Sequence, residues 1–298
     1  MGHSPSRALP PGSARPGRQH GRRLLRSAVV LARSCHPEAC AAVTLVAVML
    51  AGALGRPAAG MAAVGAAVLA GHLSVGWHND WLDADRDLAA GRTDKPVAAG
   101  LVRRQAVGRG AAAAALLTVP LSLLSGGKAG LAHIAAVALA WGYNASLKST
   151  AWSGAPYAVS FPLLVAFIYL GLPGAPWPPL WAVTATALLA TGAHLANALP
   201  DLEDDQAAGV RGLPHRLGRN ASRLGAGVLL LGASVIVTIG SGPPGAGTLS
   251  GLGVVVVLIA AAAVQGRHGG GRWAFRLTLA VAVADVAMLV ARTGSLRS

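Results

Sequence analysis

Apolar residues run through this chain in long blocks separated by short polar segments, not in strict alternation. Nine blocks can be drawn, at about 37–55, 58–79, 105–125, 129–147, 152–172, 177–199, 222–241, 247–265 and 273–291. Each is long enough for a helix to cross a hydrocarbon core roughly 30 Å thick. In lipid a segment must satisfy its own backbone hydrogen bonds, so blocks of this length predict helices. The expectation is an all-α membrane protein built as a nine-transmembrane-helix bundle. Residues 1–25 are rich in Pro, Gly, Ser and Arg and lack apolar periodicity. They predict a disordered basic arm ahead of one membrane domain over 26–298. Arg26 and Arg33 interrupt any apolar core that a secretion signal would need.

The polar interruptions are more informative than the blocks. Nine of the eleven acidic residues fall in two short segments, 80–94 and 201–205. The segments read NDWLDADRD (79–87) and NALPDLEDD (197–205), and each sets Asn, Asp, Asp at i, i+4 and i+8. Residues four apart share a helix face, so Asn79, Asp83 and Asp87 predict one stripe, and Asn197, Asp201 and Asp205 another. Carboxylates gathered this tightly repel one another unless a cation sits among them. The segments start 118 residues apart and close the second and sixth blocks. A basic loop follows each: GRTDKPVAAGLVRR (91–104) and GVRGLPHRLGR (209–219). This recurrence suggests a pseudo-repeat of a four-helix unit with a ninth helix added. Two halves facing each other would set both stripes at the mouth of a central cavity.

Charge changes the picture less than its size suggests. The chain is 53% hydrophobic and 12% charged, with mean hydropathy +0.53 and net charge +14. With nine spans, 21 of the 25 Lys and Arg fall on one side and 4 on the other. Such a bias sets orientation, placing the N-terminus and both acidic segments in the cytoplasm and the C-terminus outside. The excess therefore reads as topology in a bacterial inner membrane and attraction to the lipid bilayer, with no nucleic acid partner. Cys35 and Cys40 do not share a helix face and read as small apolar residues. The MGHSPS start and the Arg22-Arg23 pair match lipidation and export patterns too short to carry weight.

Oxygen ligands from a few carboxylates, completed by phosphate oxygens, suit a hard dication such as Mg2+. Two facing stripes would hold Mg2+ with a diphosphate between them. Arg92, Lys95, Arg211 and Lys148 lie in the loops where further cations would be needed. An apolar cavity beneath would hold a hydrocarbon tail and keep water from a carbocation. Together these features point to a prenyl diphosphate substrate.

NDWLDADRD followed by GRTDKPVAAG resembles the first signature of the UbiA superfamily of intramembrane prenyltransferases, NDxxDxxxD with a basic R-P-[LIV]-x-[SA]-G loop. NALPDLEDDQAAGVRGLPHRLG resembles the second, DxxxD followed by G-x-[RK]-[ST]-L and R-L-G. WGYNASLKSTAWSGAPYAVSF (141–161) is similar to the family's Tyr-and-Lys stretch, and LARSCHP (31–37) to its R-x-x-x-P entry. Gly212 departs from the usual Ser or Thr, and Lys95 from the usual Arg.

The resemblance implies a nine-helix fold with a central cavity and Mg2+-dependent prenyl transfer to a lipophilic or aromatic acceptor. It implies metal positions at Asn79, Asp83, Asp87, Asn197, Asp201 and Asp205, the four aspartates being catalytic. It implies diphosphate contacts from Arg92, Lys95, Lys148, Arg211 and Tyr143, with Arg33 and His194 as substrate-pocket candidates. Asp80 matches the motif but turns off the stripe, so a supporting pair with a loop cation is expected. Asp85 and Asp204 read as solvated. His72, His78 and His133 read as packing residues, and Asp285 as a structural hydrogen-bonder or part of an acceptor pocket. Two other functions share these features. An intramembrane terpene cyclase keeps the ionisation but needs no acceptor. A cation-coupled transporter would place its acids near mid-bilayer, and here they sit at block ends. No residue selects the acceptor.

Overall fold

The computed structural model describes residues 30–31, 34–35, 37–207, 209–240, 242–265, 276–277, 280–285 and 287–288. The N-terminal arm and Arg33 lie outside these. Among the described residues there is no strand. The helices are α1 (Pro37–Ala53), α2 (Ala58–Ala89), α3 (Arg104–Leu123), α4 (Gly127–Ala145), α5 (Ala155–Leu170), α6 (Leu180–Ala198), the short α7 (Leu202–Ala207), α8 (Leu213–Gly240) and α9 (Ala246–Gln265). A 3-10 turn, Leu147–Ser149, follows α4, and residues 280–285 are helical within the ninth block.

Proline marks several starts. Pro37 opens α1, Pro57 and Pro179 immediately precede α2 and α6, and Pro156 stands in the first turn of α5. A first-turn N–H has no intrahelical acceptor, so its loss there costs little.

Each of the first eight blocks contains a long helix. Three of them, Ala58–Ala89, Arg104–Leu123 and Leu213–Gly240, are long and apolar enough to cross a membrane by length and composition. Pro37–Ala53 and Ala155–Leu170 are apolar but shorter. At 1.5 Å per residue, 16 residues reach only about 24 Å, so the block pattern gives the helices but not a count of nine full crossings.

Two larger cores organise the described residues, with a smaller one of Leu195, Ala196 and Ala226 between α6 and α8. Leu50, Val64, Val68, Phe167 and Ile168 join α1, α2 and α5. Leu230, Val237, Val255, Val281 and Met288 join α8, α9 and the helical residues near 285. α2 packs on α1, α3 and α4, whereas α6 packs on α5 and α8. The helices that end in the two acidic segments thus pack mainly on different partners, although α6 contributes Ala182 to the first core and Ala185 to the second.

Three sequence features are absorbed by packing. His133 Nδ1 lies 2.7 Å from Ser122 Oγ, and its ring stacks on Phe167. His72 Nδ1 lies 3.1 Å from the Val68 carbonyl. The Cys40 thiol donates to the Cys35 carbonyl, both cysteines being buried and free.

Candidate active site

α2 does not stop where its apolar block stops. The next residues contain neither Gly nor Pro, and the helix runs on to Ala89. Asn79, Asp83 and Asp87 therefore lie on one continuous helical face, Asn79 half-buried and both aspartates buried. Carboxylates at a helix C-terminus oppose the macrodipole, and cations collect around them. Arg86 Nη2 is 2.7 Å from Asp83 Oδ2, and Lys148 pairs with the other Asp83 oxygen. Asp80, off the stripe and only 1% exposed, has Lys95 Nζ at 3.3 Å. Asp85 is exposed and paired with Arg104 at 2.8 Å. Gly91, at φ +65°, turns the chain so that the Arg92 N–H donates to the Asp87 carbonyl. The basic loop is thereby folded back over the helix end. There Arg92 forks onto Asp94 through bonds of 3.0 and 3.1 Å. This pairing holds the Asp94 carboxyl below the usual carboxylate range.

The second segment departs from the predicted stripe. α6 ends at Ala198, and Pro200 separates it from α7. Proline lacks the N–H that would continue the ladder and its ring crowds the carbonyl four residues back, so the helix breaks here although Leu199 itself keeps helical angles, φ −61° and ψ −38°. Asn197 consequently sits exposed on α6, Asp201 half-buried in the break, and Asp205 half-buried on α7. The Asp205 N–H donates to the Asp201 carbonyl at 2.8 Å, so the two aspartates stay one turn apart. Arg219 braces the break, donating to the Leu199 carbonyl and to Glu203, each at 3.0 Å. His215 Nε2 lies 3.6 Å from Asp205 Oδ2. Burial raises the Asp205 carboxyl; Arg86 and His215 oppose that rise and Asp201 adds to it.

The two segments lie within electrostatic reach of each other. Arg86, on α2, lies within electrostatic reach of Asp205, and Arg92 within reach of both Asp201 and Asp87. Tyr143, at the end of α4, is within reach of Asp83 and Asp205 alike. Lys148 is half-buried, and that burial lowers its pKa while Asp83 opposes the shift. Tyr143 meets Tyr157 edge-on at 5.2 Å and His194 at 5.8 Å, while Tyr157 stacks on His194 at 4.6 Å and on Phe161 at 6.2 Å. One aromatic cluster from α4, α5 and α6 therefore adjoins the acidic ends.

Not every expected residue joins the group. Lys95 is directed to Asp80, the Arg211 side chain is exposed, and Arg33 is outside the described residues. His194 is buried with Nε2 3.0 Å from Ser153 Oγ. Sequence reasoning missed Arg86, which lies between the two motif aspartates of α2 and was counted only as a topology charge. It also missed His215 and Ser153.

Ser153 is a tie between elements. Its hydroxyl, fully buried, accepts the Leu213 N–H at 2.8 Å while facing His194. It joins α6, the start of α5 and the second basic loop. Gly212 makes this fit possible: a Cβ there would stand 2.5 Å from the Lys148 carbonyl oxygen and 3.0 Å from Ser153 Oγ. The departure from Ser or Thr at 212 thus has a steric reason, and the loop seats directly on the segment carrying Lys148. Ser153→Ala leaves a buried N–H and a buried imidazole short of a partner, at about 1–3 kcal/mol. The expected result is a lower thermal midpoint in detergent. An unchanged midpoint would mean that the tie carries no weight.

Among the described residues, no three His, Cys, Asp or Glu side chains form a metal-enclosing group on their own. The donors near the junction are carboxylate and carboxamide oxygens divided between two segments. That set fits Mg2+ in its usual mode, in which one or two carboxylates bind and phosphate oxygens and waters complete the shell.

Comparisons with known proteins bear on the family and the fold. A model of the UbiA prenyltransferase family matches residues 40–282. The chain is similar to the bacteriochlorophyll synthase 33 kDa chain of Cereibacter sphaeroides, at 34% identity over 194 residues, 58% of this chain and 60% of that one. The match thus spans about three-fifths of that relative's length. Among solved structures, the fold matches the apo structure of a UbiA homolog from Aeropyrum pernix K1, with TM-score 0.69 and 20% identity, covering 83% of this chain and 97% of that one. It also matches a UbiA homolog from Archaeoglobus fulgidus bound to DMAPP and Mg2+, with TM-score 0.64 and 17% identity, covering 89% and 98%. At these identities the structural likeness carries the fold alone.

Proposed function

The chain belongs to the UbiA prenyltransferase family, and from that premise we propose that it moves a prenyl group from a prenyl diphosphate to a lipophilic or aromatic acceptor at the membrane. One observation carries the reading: the acidic segments at the ends of α2 and α6 come within electrostatic reach of each other through Arg86 and Arg92, beside an aromatic cluster. Asn79, Asp83 and Asp87 from one side, with Asn197, Asp201 and Asp205 from the other, are the residues that would hold Mg2+. When bound, the ion supplies positive charge to a departing diphosphate. The Archaeoglobus homolog bound to DMAPP and Mg2+ supports that choice of cofactor and substrate.

The chain's own residues do the rest. Arg92, Lys148 and Arg86 face the space where phosphate oxygens would gather, and charge-assisted hydrogen bonds from them strengthen as the leaving group gains charge. The C–O bond of the prenyl diphosphate breaks with its electron pair left on diphosphate. The acceptor's nucleophilic atom bonds to the same carbon and releases a proton. Tyr143, Tyr157 and Phe161 offer ring faces to the allylic cation. The likeness to a bacteriochlorophyll synthase chain makes lipophilic tetrapyrroles the first acceptors to try. The purified protein, supplied with labelled prenyl diphosphate and membrane extract, is expected to form a lipophilic product that EDTA stops and Mg2+ restores. Product formation unaffected by EDTA would overturn the reading.

We further propose nine crossings of a bacterial inner membrane, with the site's mouth and the N-terminus cytoplasmic. In a Cys35- and Cys40-free background, a cysteine at position 94 is expected to react only from the cytoplasm, and one at 298 only from outside. Labelling of both from one side would refute the count.

The basic loop gives a third expectation. A charged hydrogen bond to phosphate is worth roughly 1.5–3 kcal/mol, or a tenfold to hundredfold change in affinity. Because Arg92 already shares its fork with Asp94, the low end applies. Arg92→Gln should raise the KM for prenyl diphosphate about tenfold and leave that for the acceptor unchanged, whereas Arg15→Gln should alter neither. Matching saturation curves for the two variants would reduce the loop to a topology signal.

A further inference from the structure

On the other side of α2 from the acidic stripe lies a concavity of about 600 Å3, between α2, α3 and α4. At about 100° per residue, His78 and Trp81 turn away from the face of Asn79, Asp83 and Asp87, and Trp141 turns about 200° from Tyr143 on α4. The slot therefore opens on the far side of α2 from the junction, with His78 alone of its lining residues within electrostatic reach of Asp83 and Lys148.

The sequence explains why the slot exists. α2 and α4 bring up three rings: His78 lies flat on Trp141 with centroids 3.9 Å apart, and Trp81 follows at 6.0 Å. Besides Gln105 and Arg109, α3 answers them only with small residues. Gly108 lets Trp81 close in, since a Cβ there would be 2.8 Å from the Trp81 ring. One turn on, Ala111 and Ala112 are too short to fill the space facing Trp141. The result is an apolar slot of a size usual for ligand pockets.

Its mouth has the opposite character. Gln105 and Arg109 line it, and Arg109 Nε donates to the Gln105 carbonyl at 3.3 Å. Among the described residues no carboxylate pairs with Arg109. Arg104, five residues earlier, is committed to Asp85 and the Trp81 carbonyl, with its guanidinium 5.8 Å from the Trp81 ring. Arg103 is exposed beside it. An apolar floor with tryptophans and a cationic lip, at the end of a membrane helix, matches an amphiphile with an anionic head.

We infer that this slot binds one anionic phospholipid of the surrounding bilayer, its phosphate on Arg109 and its chain along Trp141, Ala111 and Ala112. The acceptor of prenyl transfer is a poor occupant, because α2 stands between the slot and the acidic stripe. The lipid would nevertheless bear on that stripe, since His78, stacked in the slot's wall, immediately precedes Asn79 in the same helix.

The test needs no prenyl chemistry. The full chain is placed in nanodiscs of equal phosphatidylglycerol and phosphatidylcholine, released, and weighed with its retained lipids by native mass spectrometry. The wild type is expected to keep one phosphatidylglycerol per chain, preferred about fivefold, which is the ratio one interfacial arginine supplies. Arg109→Gln should lose the preference, and Ala112→Trp should lose the lipid by filling the slot. Arg103→Gln, outside the slot, should keep both. Equal retention of the two lipids by the wild type would overturn the site, as would Arg109→Gln remaining as selective as the wild type. Loss of preference in Arg103→Gln equal to that in Arg109→Gln would overturn it too, by assigning the effect to a diffuse basic field. If Ala112→Trp does not fold, as judged by its melting curve, the two arginine variants decide alone.

Discussion

Asp83→Ala is expected to abolish prenyl transfer, with turnover falling on the order of 10^3-fold or more, the scale for removing a group that stabilises charge in the transition state. Asp83 is buried and gathers both Arg86 and Lys148, so it stands where an incoming cation would compete with both. The obvious objection is that losing a buried carboxylate strands its partners and unfolds the protein. Lys148 blunts that objection. Burial already lowers its pKa and the Asp83 carboxylate opposes that shift, so loss of Asp83 moves the amine further toward its neutral form. Arg86 is partly exposed and keeps water. The variant should therefore elute from a sizing column in detergent like the wild type while its turnover vanishes. Asp83→Asn, which keeps shape and removes only charge, should be equally inactive. Full activity in Asp83→Asn at saturating Mg2+ would remove Asp83 from the site.

Asp201→Ala should cause a loss of the same order, although Asp201 belongs to another segment. The informative quantity is the double variant. Groups that act as one unit are strongly non-additive: once one is gone, losing the second costs little more. If both segments hold one ion–diphosphate assembly, Asp83→Ala with Asp201→Ala should be no slower than the slower single variant. Multiplied losses would mean two independent sites, and the convergence through Arg86, Arg92 and Tyr143 would have no catalytic meaning. The comparison is made on kcat/KM for prenyl diphosphate, with the folded fraction of each variant measured alongside.

The first acidic stripe was legible in the sequence because its period is the helix's own and nothing between Asn79 and Asp87 breaks a helix. The expected pairing of Asp80 with a loop cation also follows from that period, which turns it off the stripe toward Lys95. The second stripe was misread in a way the sequence could have corrected. Its i, i+4, i+8 spacing looks identical, but Pro200 lies inside it, and a helix ends before such a proline. Arg86 was hidden by its neighbours: within a run of aspartates a single arginine reads as local compensation, and its reach to Asp205 comes only from tertiary packing. The tie through Ser153, His194 and Leu213 was not legible, since its members lie 41 and 60 residues from Ser153 and each alone is an ordinary residue. Nor does length settle the span count, because helices of 16 and 17 residues such as α5 and α1 fall close to the minimum for crossing.

The most direct measurement is the binding of geranyl diphosphate to the detergent-solubilised protein, by calorimetry, with Mg2+ and with EDTA, in the wild type, Asp83→Asn and Asp201→Ala. Saturable binding is expected only for the wild type with Mg2+, with geraniol, which lacks the diphosphate, binding weakly and without regard to the metal. Binding of equal strength in EDTA, or retained in both aspartate variants, would contradict a site in which the two acidic segments jointly hold a Mg2+–diphosphate.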